Sequence, residues 1–264
     1  MEYIIVPLAA FAASSLSFFS GFGLGTLLMP VLALFFPLPA AIAATAVVHG
    51  SNNLFKMIMV GESADKELVL KFGVPAILAA FAGAWSLHLF SDLSLGREYF
   101  YLFLGRAAVI TPLKVVLALL MLVFAAVDVL PGLKELRFER RYLPLGGLLS
   151  GFFGGLSGHQ GALRSAFLVK TDVSSEAFVA TNAVIGFMVD VARLCVYAYG
   201  VYALGDLGGK DFFPLEIVAV SVAASVAGVL LGLKFLHKVT IAVIQGITAA
   251  MLAVIALLLG AGLI

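Results

Sequence analysis

A long apolar segment, interrupted by glycine and polar residues, lies at residues 142–169 and reads YLPLGGLLSGFFGGLSGHQGALRSAFLV. As a helix it is long enough to cross a hydrocarbon layer of roughly 30 Å. The glycine-rich run at 154–161 weakens that helix at its middle, because glycine gives the backbone extra conformational freedom. We therefore predict a broken or re-entrant helix, with the polar side chains of residues 159–165 at the break.

Seven further apolar segments accompany this one, which predicts an all-α integral membrane protein of about eight hydrophobic segments. The eight are residues 3–36, 38–60, 67–90, 108–130, 142–169, 175–203, 212–236 and 240–262. Of the 264 residues, 62% are hydrophobic and 12% charged, whereas soluble domains have roughly 45–50% apolar residues. Helices are expected because lipid cannot satisfy free backbone polar groups, and the runs exceed the roughly 9–11 residues of a barrel strand.

The first apolar segment has a similar glycine-rich break, and the likeness extends into an internal repeat. A shift of 136 positions aligns residues 25–57 with 161–193 without a gap, and eight of the 33 positions are identical. The identical pairs are Gly25/Gly161, Leu27/Leu163, Leu32/Leu168, Ala41/Ala177, Ala44/Ala180, Thr45/Thr181, Val48/Val184 and Gly50/Gly186. Because transporters are often built by duplication, we predict two repeats with a broken or re-entrant helix in each.

Charges in the loops predict how the repeats are oriented. The most basic short loop is 131–141, so the positive-inside rule places it in the cytoplasm. If segments one and five are re-entrant helices, the two halves are inverted copies and the acidic loop at 205–211 lies outside. The two arginines at 91–106 would then also lie outside, which conflicts mildly with the rule. The predicted units are a single membrane domain at 1–264, repeat one at 1–130, the cytoplasmic linker at 131–141 and repeat two at 142–264.

Polar residues deep in an apolar segment are functional candidates, because they are costly to insert into a bilayer. In the second segment, His49, Asn52 or Asn53, and Lys56 lie on one helical face and offer donors and a positive charge. The alternative is that Lys56 snorkels toward the acidic turn at 62–65, with the asparagines serving as interhelical hydrogen bonds.

The sixth segment carries a second polar face with Asn182, Asp190 and Arg193. The spacing of Asp190 and Arg193, i and i+3, predicts an ion pair. That pair is either structural or a proton-linked switch, in which protonation of Asp190 releases Arg193 to meet an anion. The groups suited to carrying a proton are Asp190, His49 and His159.

The break in the fifth segment combines glycine with hydrogen-bond donors. A half-helix that begins near Ala162 would present free N–H groups and the positive end of its dipole. Arg164 would add a forked donor that suits sulfonate oxygens. Close helix packing is the alternative, and it accounts for the glycines but not for His159 or Arg164. The candidate substrate-binding residues of the chain are His49, Asn52, Asn53, Lys56, His159, Gln160, Arg164, Arg193, Thr45, Thr181, Gly23, Gly25, Gly158 and Gly161.

The repeat also predicts where the cations meet. Under the shift of 136, Lys56 falls on Ala192 and Met57 on Arg193, so each repeat places one cation at nearly the same location. We therefore predict Lys56 and Arg193 as paired cations near the membrane midplane, between the two breaks, with anion binding linked to proton uptake.

Several of these motifs resemble a known family. They are the run GFGLGTLLMP at 21–30, the run GLSGHQGALRS at 155–165, and the Ala-Thr pairs at 44–45 and 180–181. Together they resemble the TauE/SafE family of sulfite exporters over nearly the whole chain. The resemblance implies a duplicated, eight-segment membrane protein that moves sulfur-containing anions outward across the cytoplasmic membrane of a prokaryote. Pro30 follows the first glycine run as in the family, but Ala166 stands at that place in the second copy, which leaves the cargo open.

The predicted function is secondary transport of sulfite, an organosulfonate or a related oxyanion, as proton-linked export by a multi-pass protein of the inner membrane. An anion channel is one alternative, since broken helices also line pores. An intramembrane serine protease is another, because residues 155–158 read Gly-Leu-Ser-Gly. Such a protease requires a histidine on a later membrane helix. His159 is too near in sequence, and His237 lies in a basic turn.

Composition excludes other classes. The net charge of +1 argues against a nucleic-acid partner, and the lone Cys195 excludes an intramolecular disulfide and a multi-thiolate metal site. The four histidines lack metal-ligand spacing and no Walker-type loop is present, so neither a metal, a nucleotide nor another cofactor is expected. The expected partners are a small anion and the lipid bilayer. The oligomeric state is left open, with a homodimer as one option.

Overall fold

Long apolar runs leave the backbone of this chain no hydrogen-bond partner but itself, and the fold is almost entirely helical. The structure, a computed structural model, describes residues 1–20, 24–94, 96–130, 132, 138–168, 171, 173–203, 214–235 and 241–264. In chain order the elements are α1 (Glu2–Ser20), α2 (Leu24–Ala33), α3 (Leu38–Val60), α4 (Lys66–Leu68), α5 (Val74–Ser94), β1 (Tyr99–Phe103), β2 (Arg106–Ile110), α6 (Pro112–Val129), α7 (Leu143–Ser157), α8 (Gly161–Leu168), α9 (Ser175–Ala203), α10 (Leu215–Phe235) and α11 (Ile241–Gly260). Short 3₁₀ turns lie at Gly61–Ser63 and Arg140–Tyr142, and a π-helical turn at Val69–Gly73 joins α4 to α5. The predicted all-α membrane fold is confirmed.

The second glycine-rich run interrupts a helix. There, α7 ends at Ser157, Gly158 is left-handed with φ +82°, and α8 begins at Gly161. Only glycine adopts such a φ without strain, so Gly158 is the residue that allows the helix to stop. In the first, α1 ends at Ser20 and α2 begins at Leu24. The break in the fifth segment is therefore confirmed, whereas Gly23 lies outside the described residues.

The major helix contacts come in matched pairs. Helix α5 packs along α7, and α10 packs along α1, while α3 crosses α9 and α6 packs against α11. Exchanging each helix for its counterpart in the other repeat (α1 for α7, α3 for α9, α5 for α10, α6 for α11) reproduces the same set of contacts. This pairing is what two equivalent halves would produce. The boundaries of the repeats stay a prediction.

Glycines permit the closest of these contacts. On α7, a Cβ at Gly151 would lie 2.0 Å from the Ala76 carbonyl oxygen, and one at Gly155 would lie 2.2 Å from the Ala80 oxygen. On α10, a Cβ at Gly228 would lie 2.4 Å from the Phe11 oxygen. Small residues one turn apart let membrane helices approach in this way. Substitution at these positions would force the backbones apart.

A β-hairpin precedes α6, and here the sequence-based boundary was wrong. Strands β1 and β2 are antiparallel with Phe103 opposite Arg106, and Leu104 and Gly105 both have positive φ, as a two-residue hairpin turn requires. Residues 108–110 therefore belong to a strand, not to the fourth segment. Helix α6 begins later because Thr111 accepts a hydrogen bond from the Lys114 N–H at 3.2 Å and Pro112 presets the first turn.

Three described helices are long and apolar enough to cross a membrane, namely Lys66–Leu93, Ser175–Val201 and Leu215–Lys234. Shorter apolar helices run over Glu2–Phe18, Leu24–Ala33, Pro112–Val127 and Gly246–Gly260. Helix α2 is buried over its whole length, so it is surrounded by protein rather than lying at the periphery. The orientation and number of crossings stay predictions, and the 205–211 loop and most of the 131–141 linker lie outside the described residues.

Candidate functional site

The site forms where α3 crosses α9, and the paired glycines of the repeat mark the crossing. A Cβ at Gly50 would lie 3.2 Å from Asp190 Cβ, and one at Gly186 would lie 2.6 Å from Asn53 Nδ2. A larger residue at either position would separate the helices. Glycine at both positions therefore brings the polar faces of the second and sixth segments into contact.

The Asp190 carboxylate is the centre of a buried hydrogen-bond network. Its Oδ2 lies 2.6 Å from His49 Nδ1 and 3.1 Å from Asn53 Nδ2. Its Oδ1 accepts from Gln160 Nε2 at 3.1 Å and from Arg193 at 3.0 Å (Nε) and 2.7 Å (Nη2). Asp190 and Arg193 are both fully buried, so the ion pair predicted from their spacing is confirmed. An aspartate held by this many donors is an ionised acceptor.

Arg164 is held beside this network by two amide side chains. Its Nε donates to Asn182 Oδ1 at 2.6 Å, and its Nη1 donates to Gln160 Oε1 at 3.1 Å. The side chain is 1% exposed although it is the longest on α8. Arg164 lies in the first turn of α8, directly after the break. The half-helix predicted to start near Ala162 begins at Gly161, which positions the guanidinium at the helix crossing.

A small cavity lies between α1, α2, α3, α8 and α9. Its polar lining residues are Ser17, His49, Asn53, Lys56, Arg164 and Asn182. Lys56 is 6% exposed, and its Nζ lies 5.7 Å from the centroid of the Phe18 ring. Lys56 therefore lies in the cavity rather than snorkelling to the acidic turn. Two buried cations, Lys56 and Arg164, share one small space.

The two breaks meet at this site. A Cβ at Gly25 would lie 3.2 Å from the Gly158 carbonyl oxygen and 3.5 Å from His49 Cδ2, and one at Gly158 would lie 3.0 Å from Arg193 Nη1. Glycine at both positions lets the backbone of each break approach the polar network. Gly25 and Gly158 thus have positioning roles that depend on their lacking a side chain, and Gly161 is buried at the start of α8.

His159 is not among the residues that line the cavity. Its Nδ1 is 3.0 Å from Ser157 Oγ, its ring stacks on Phe124 with centroids 5.3 Å apart, and its buried Nε2 has no hydrogen-bond partner among the described residues. The Ser157 hydroxyl also bonds the Phe153 carbonyl oxygen at 3.1 Å. A protease dyad requires a third group that orients the histidine, and the described contacts of His159 include no such carboxylate.

Four other predicted residues lie away from the cavity. Asn52 Nδ2 donates to Ser14 Oγ at 2.6 Å and lies 3.3 Å from the Ser225 carbonyl oxygen, so it joins α3 to α1 and α10. Thr45 donates to the Ala41 carbonyl oxygen at 2.7 Å, and Thr181 accepts from the Asp65 N–H at 2.9 Å. These contacts hold the fold together.

The fourth of these residues is Arg193, which is engaged by Asp190 and does not line the cavity. The cation that shares the cavity with Lys56 is Arg164. The repeat predicted Lys56 and Arg193 as the paired cations of the site. The cavity is instead lined by Lys56 and Arg164.

Three residues of the site were not among the predicted binding residues. Ser17 and Phe18 line the cavity from α1, and Asn182 both lines it and accepts from Arg164. Asn182 was on the polar face of the sixth segment, and Phe18 matches Phe152 in the second repeat when two residues are inserted there. These signals could have identified both residues, whereas nothing local distinguishes Ser17 from the other buried serines of α1.

Broken apolar helices around a buried, positively charged cavity define a class of membrane transporter, in which discontinuous helices form the solute site. Residues 6–259 match the family described as Sulfite exporter TauE/SafE. The match covers nearly the whole chain, so the protein belongs to the TauE/SafE family, as its motifs predicted. The family implies an anion transporter of the sulfite-exporter type, which fits the prediction of a non-enzyme. No curated protein and no solved structure matches the chain.

Proposed function

We propose that this protein is a secondary transporter that exports a small sulfur-containing anion, sulfite or an organosulfonate, across the cytoplasmic membrane of a prokaryote. The observation that carries the proposal is the pair of buried cations, Lys56 and Arg164, lining one cavity. A buried charge is costly unless it is paired or meets a ligand. No carboxylate of the described chain lies within ion-pair distance of Lys56 Nζ.

The chemistry of the lining suits a sulfur oxyanion. Lys56 is a compact cation with three donors, and Arg164 is a planar forked donor whose position is set by Asn182 and Gln160. The Asn53 amide nitrogen lies at the same wall, beside His49. Donors that approach from different helices fit the three oxygens of a sulfite or sulfonate group better than a planar carboxylate.

We further propose that transport is linked to protons through the His49–Asp190 pair. The pair adjoins the cavity and joins the two helices that cross there. A charge change at this contact would alter both anion affinity and the packing of α3 on α9. The sequence lacks a nucleotide-binding loop, and a proton gradient would supply the energy.

The direct test is flux through proteoliposomes that contain the purified full-length chain. Sulfite, methanesulfonate, sulfate and chloride are loaded inside, and efflux is followed with and without a pH gradient. We expect efflux of sulfite or methanesulfonate that is driven by the gradient and abolished in Arg164→Ala, while Arg141→Ala is unaffected because Arg141 pairs with Glu139 at the surface. Equal efflux of all four anions without response to the gradient would indicate a channel and contradict the proposal.

A further inference from the structure

The histidine of the site has a defined tautomer. The contact of 2.6 Å between His49 Nδ1 and Asp190 Oδ2 requires a proton between the two atoms. Asp190 is ionised, because its other oxygen accepts from Arg193 and Gln160. The proton therefore lies on Nδ1, and the carboxylate fixes this tautomer. In a neutral ring Nε2 is then a bare acceptor.

Because Nδ1 is engaged by Asp190, Nε2 is the ring nitrogen left to meet a ligand. His49 lines the cavity and is 8% exposed, while Nδ1 is turned to Asp190. The Gly25 backbone flanks the Cδ2 side of the ring, where a Cβ would come within 3.5 Å. An anion in the cavity therefore meets Lys56 and Arg164 as donors and His49 as an acceptor.

Two acceptors cannot face each other without a proton. An oxygen of a bound oxyanion near His49 Nε2 would be repelled by the nitrogen lone pair unless one of them carries hydrogen. The proposed substrates are oxyanions of this kind, so the inference rests on the proposed function. We infer that His49 makes the cavity bind each anion together with one proton, held between Nε2 and an anion oxygen, while Asp190 stays ionised as a positioning residue.

Anions bound at such a site differ in whether they already carry a proton. An anion that brings its own acidic hydrogen, such as hydrogen sulfite, fills the site without taking a proton from solution. A permanently deprotonated anion, such as methanesulfonate, requires one proton from water, which goes to Nε2 and makes His49 a third cation. The two ligands share their oxygen chemistry and differ only in this requirement.

The surroundings of His49 support a change of charge there. The charged groups that face it are Asp190 and Arg193 from α9, Arg164 from α8, and Lys56 on its own helix. Helix α2 carries no titratable side chain. Burial, with Arg193 and Arg164 nearby, disfavours a charged imidazole while the cavity is empty, and an anion opposes this by placing negative charge next to Nε2.

The test is titration calorimetry of the full-length protein in detergent with methanesulfonate, at pH 8, in two buffers of different ionisation enthalpy. The difference between the two heats gives the number of protons taken up. We expect about one proton per anion, and a dissociation constant that tightens about tenfold per pH unit of acidification. Hydrogen sulfite, titrated at lower pH where that species dominates, should bind with less than half of that uptake.

His49→Gln keeps an amide donor at the cavity but cannot titrate. In this variant methanesulfonate should bind with no proton uptake and no pH slope. The matched control is His88→Gln, since His88 lies on α5 next to Asp92, away from the cavity; its uptake should equal that of wild type.

Binding of methanesulfonate by wild type without proton uptake would overturn the inference and leave the proposed function standing. Uptake that persists in His49→Gln would overturn it as well. If wild type binds neither anion, the proposed function itself fails. If the His49 variant does not fold, the proton count is taken in Lys56→Arg, whose cation cannot titrate near pH 8; the inference expects about one proton per anion there, and no uptake would overturn it.

Discussion

His49 of α3 donates a hydrogen bond of 2.6 Å to Asp190 of α9 at the point where the two helices cross. The two residues are 141 positions apart and come from different halves of the chain. Their contact therefore depends on how the halves dock. It also connects the cavity, through His49, to the Arg193 ion pair behind it.

Removing the Asp190 charge should affect stability and pH response together. In Asp190→Asn, Arg193 loses its carboxylate and becomes an uncompensated buried cation, which costs about 3–5 kcal/mol in comparable cases. Thermal unfolding in detergent should show the loss, and the pH slope of anion binding should flatten because the His49 tautomer is no longer fixed. A pH profile identical to that of wild type would show that Asp190 has no part in coupling.

The crossing glycines should not tolerate a methyl group. Gly186→Ala places a Cβ 2.6 Å from Asn53 Nδ2 and 3.1 Å from Arg164 Nη1. Overpacking of this kind costs about 1–3 kcal/mol, which outweighs the helix-propensity gain of about 1 kcal/mol. Gly246→Ala on α11 is the matched control, because nothing lies within 4 Å of its Cβ. We expect a lower unfolding temperature only for Gly186→Ala, and equal values for both variants would refute the tight crossing.

Lys56→Met should separate function from stability. Methionine is unbranched and one atom shorter, and it removes a buried cation that has no carboxylate within ion-pair distance in the described chain. We expect the unfolding temperature to stay the same or rise, since desolvation of the charge is relieved, while anion binding is lost. Lys71→Met is the control at an exposed lysine, which pairs with Glu67. Anion affinity that survives in Lys56→Met would remove Lys56 from the site.

Arg164→Ala should abolish transport, and Arg164→Lys should restore little of it. An ammonium group cannot bridge Asn182 and Gln160 as the guanidinium does. Loss of the buried hydrogen bonds should also cost about 1–3 kcal/mol of stability, so binding is measured per folded molecule by calorimetry. An alanine variant with the substrate affinity of wild type would exclude Arg164 from binding.

The proposed inverted topology predicts opposite labelling of two positions in a Cys195→Ala background. Glu139→Cys, beside the basic linker, should react with an impermeant maleimide only from the cytoplasmic side. Leu215→Cys, which is 70% exposed at the start of α10, should react only from outside. Both residues are exposed in the fold, so a lack of labelling from one side means that the residue faces the other side of the membrane. Labelling of both from one side would contradict the inverted arrangement.

The sequence by itself determined the elements that depend on local interactions. Apolar run length set the helices, glycine set the break at Gly158, and the i, i+3 spacing set the ion pair of Asp190 with Arg193. The repeat identified Gly50 and Gly186 as an equivalent pair, and the structure places both at the helix crossing. The β-hairpin at residues 99–110 was missed because its short apolar strands resemble the start of the next helix.

Only the tertiary structure decided which polar residues share the cavity. Asn52 and Asn53 are adjacent in sequence but about 100° apart around α3, so one contacts Ser14 and the other Asp190. The turn at Gly158 directs Arg164 into the cavity, and Asp190 holds Arg193 out of it. Side-chain type and spacing show that a helix face is polar, but its partners depend on how the helices dock. That docking is set by packing between residues far apart in the chain.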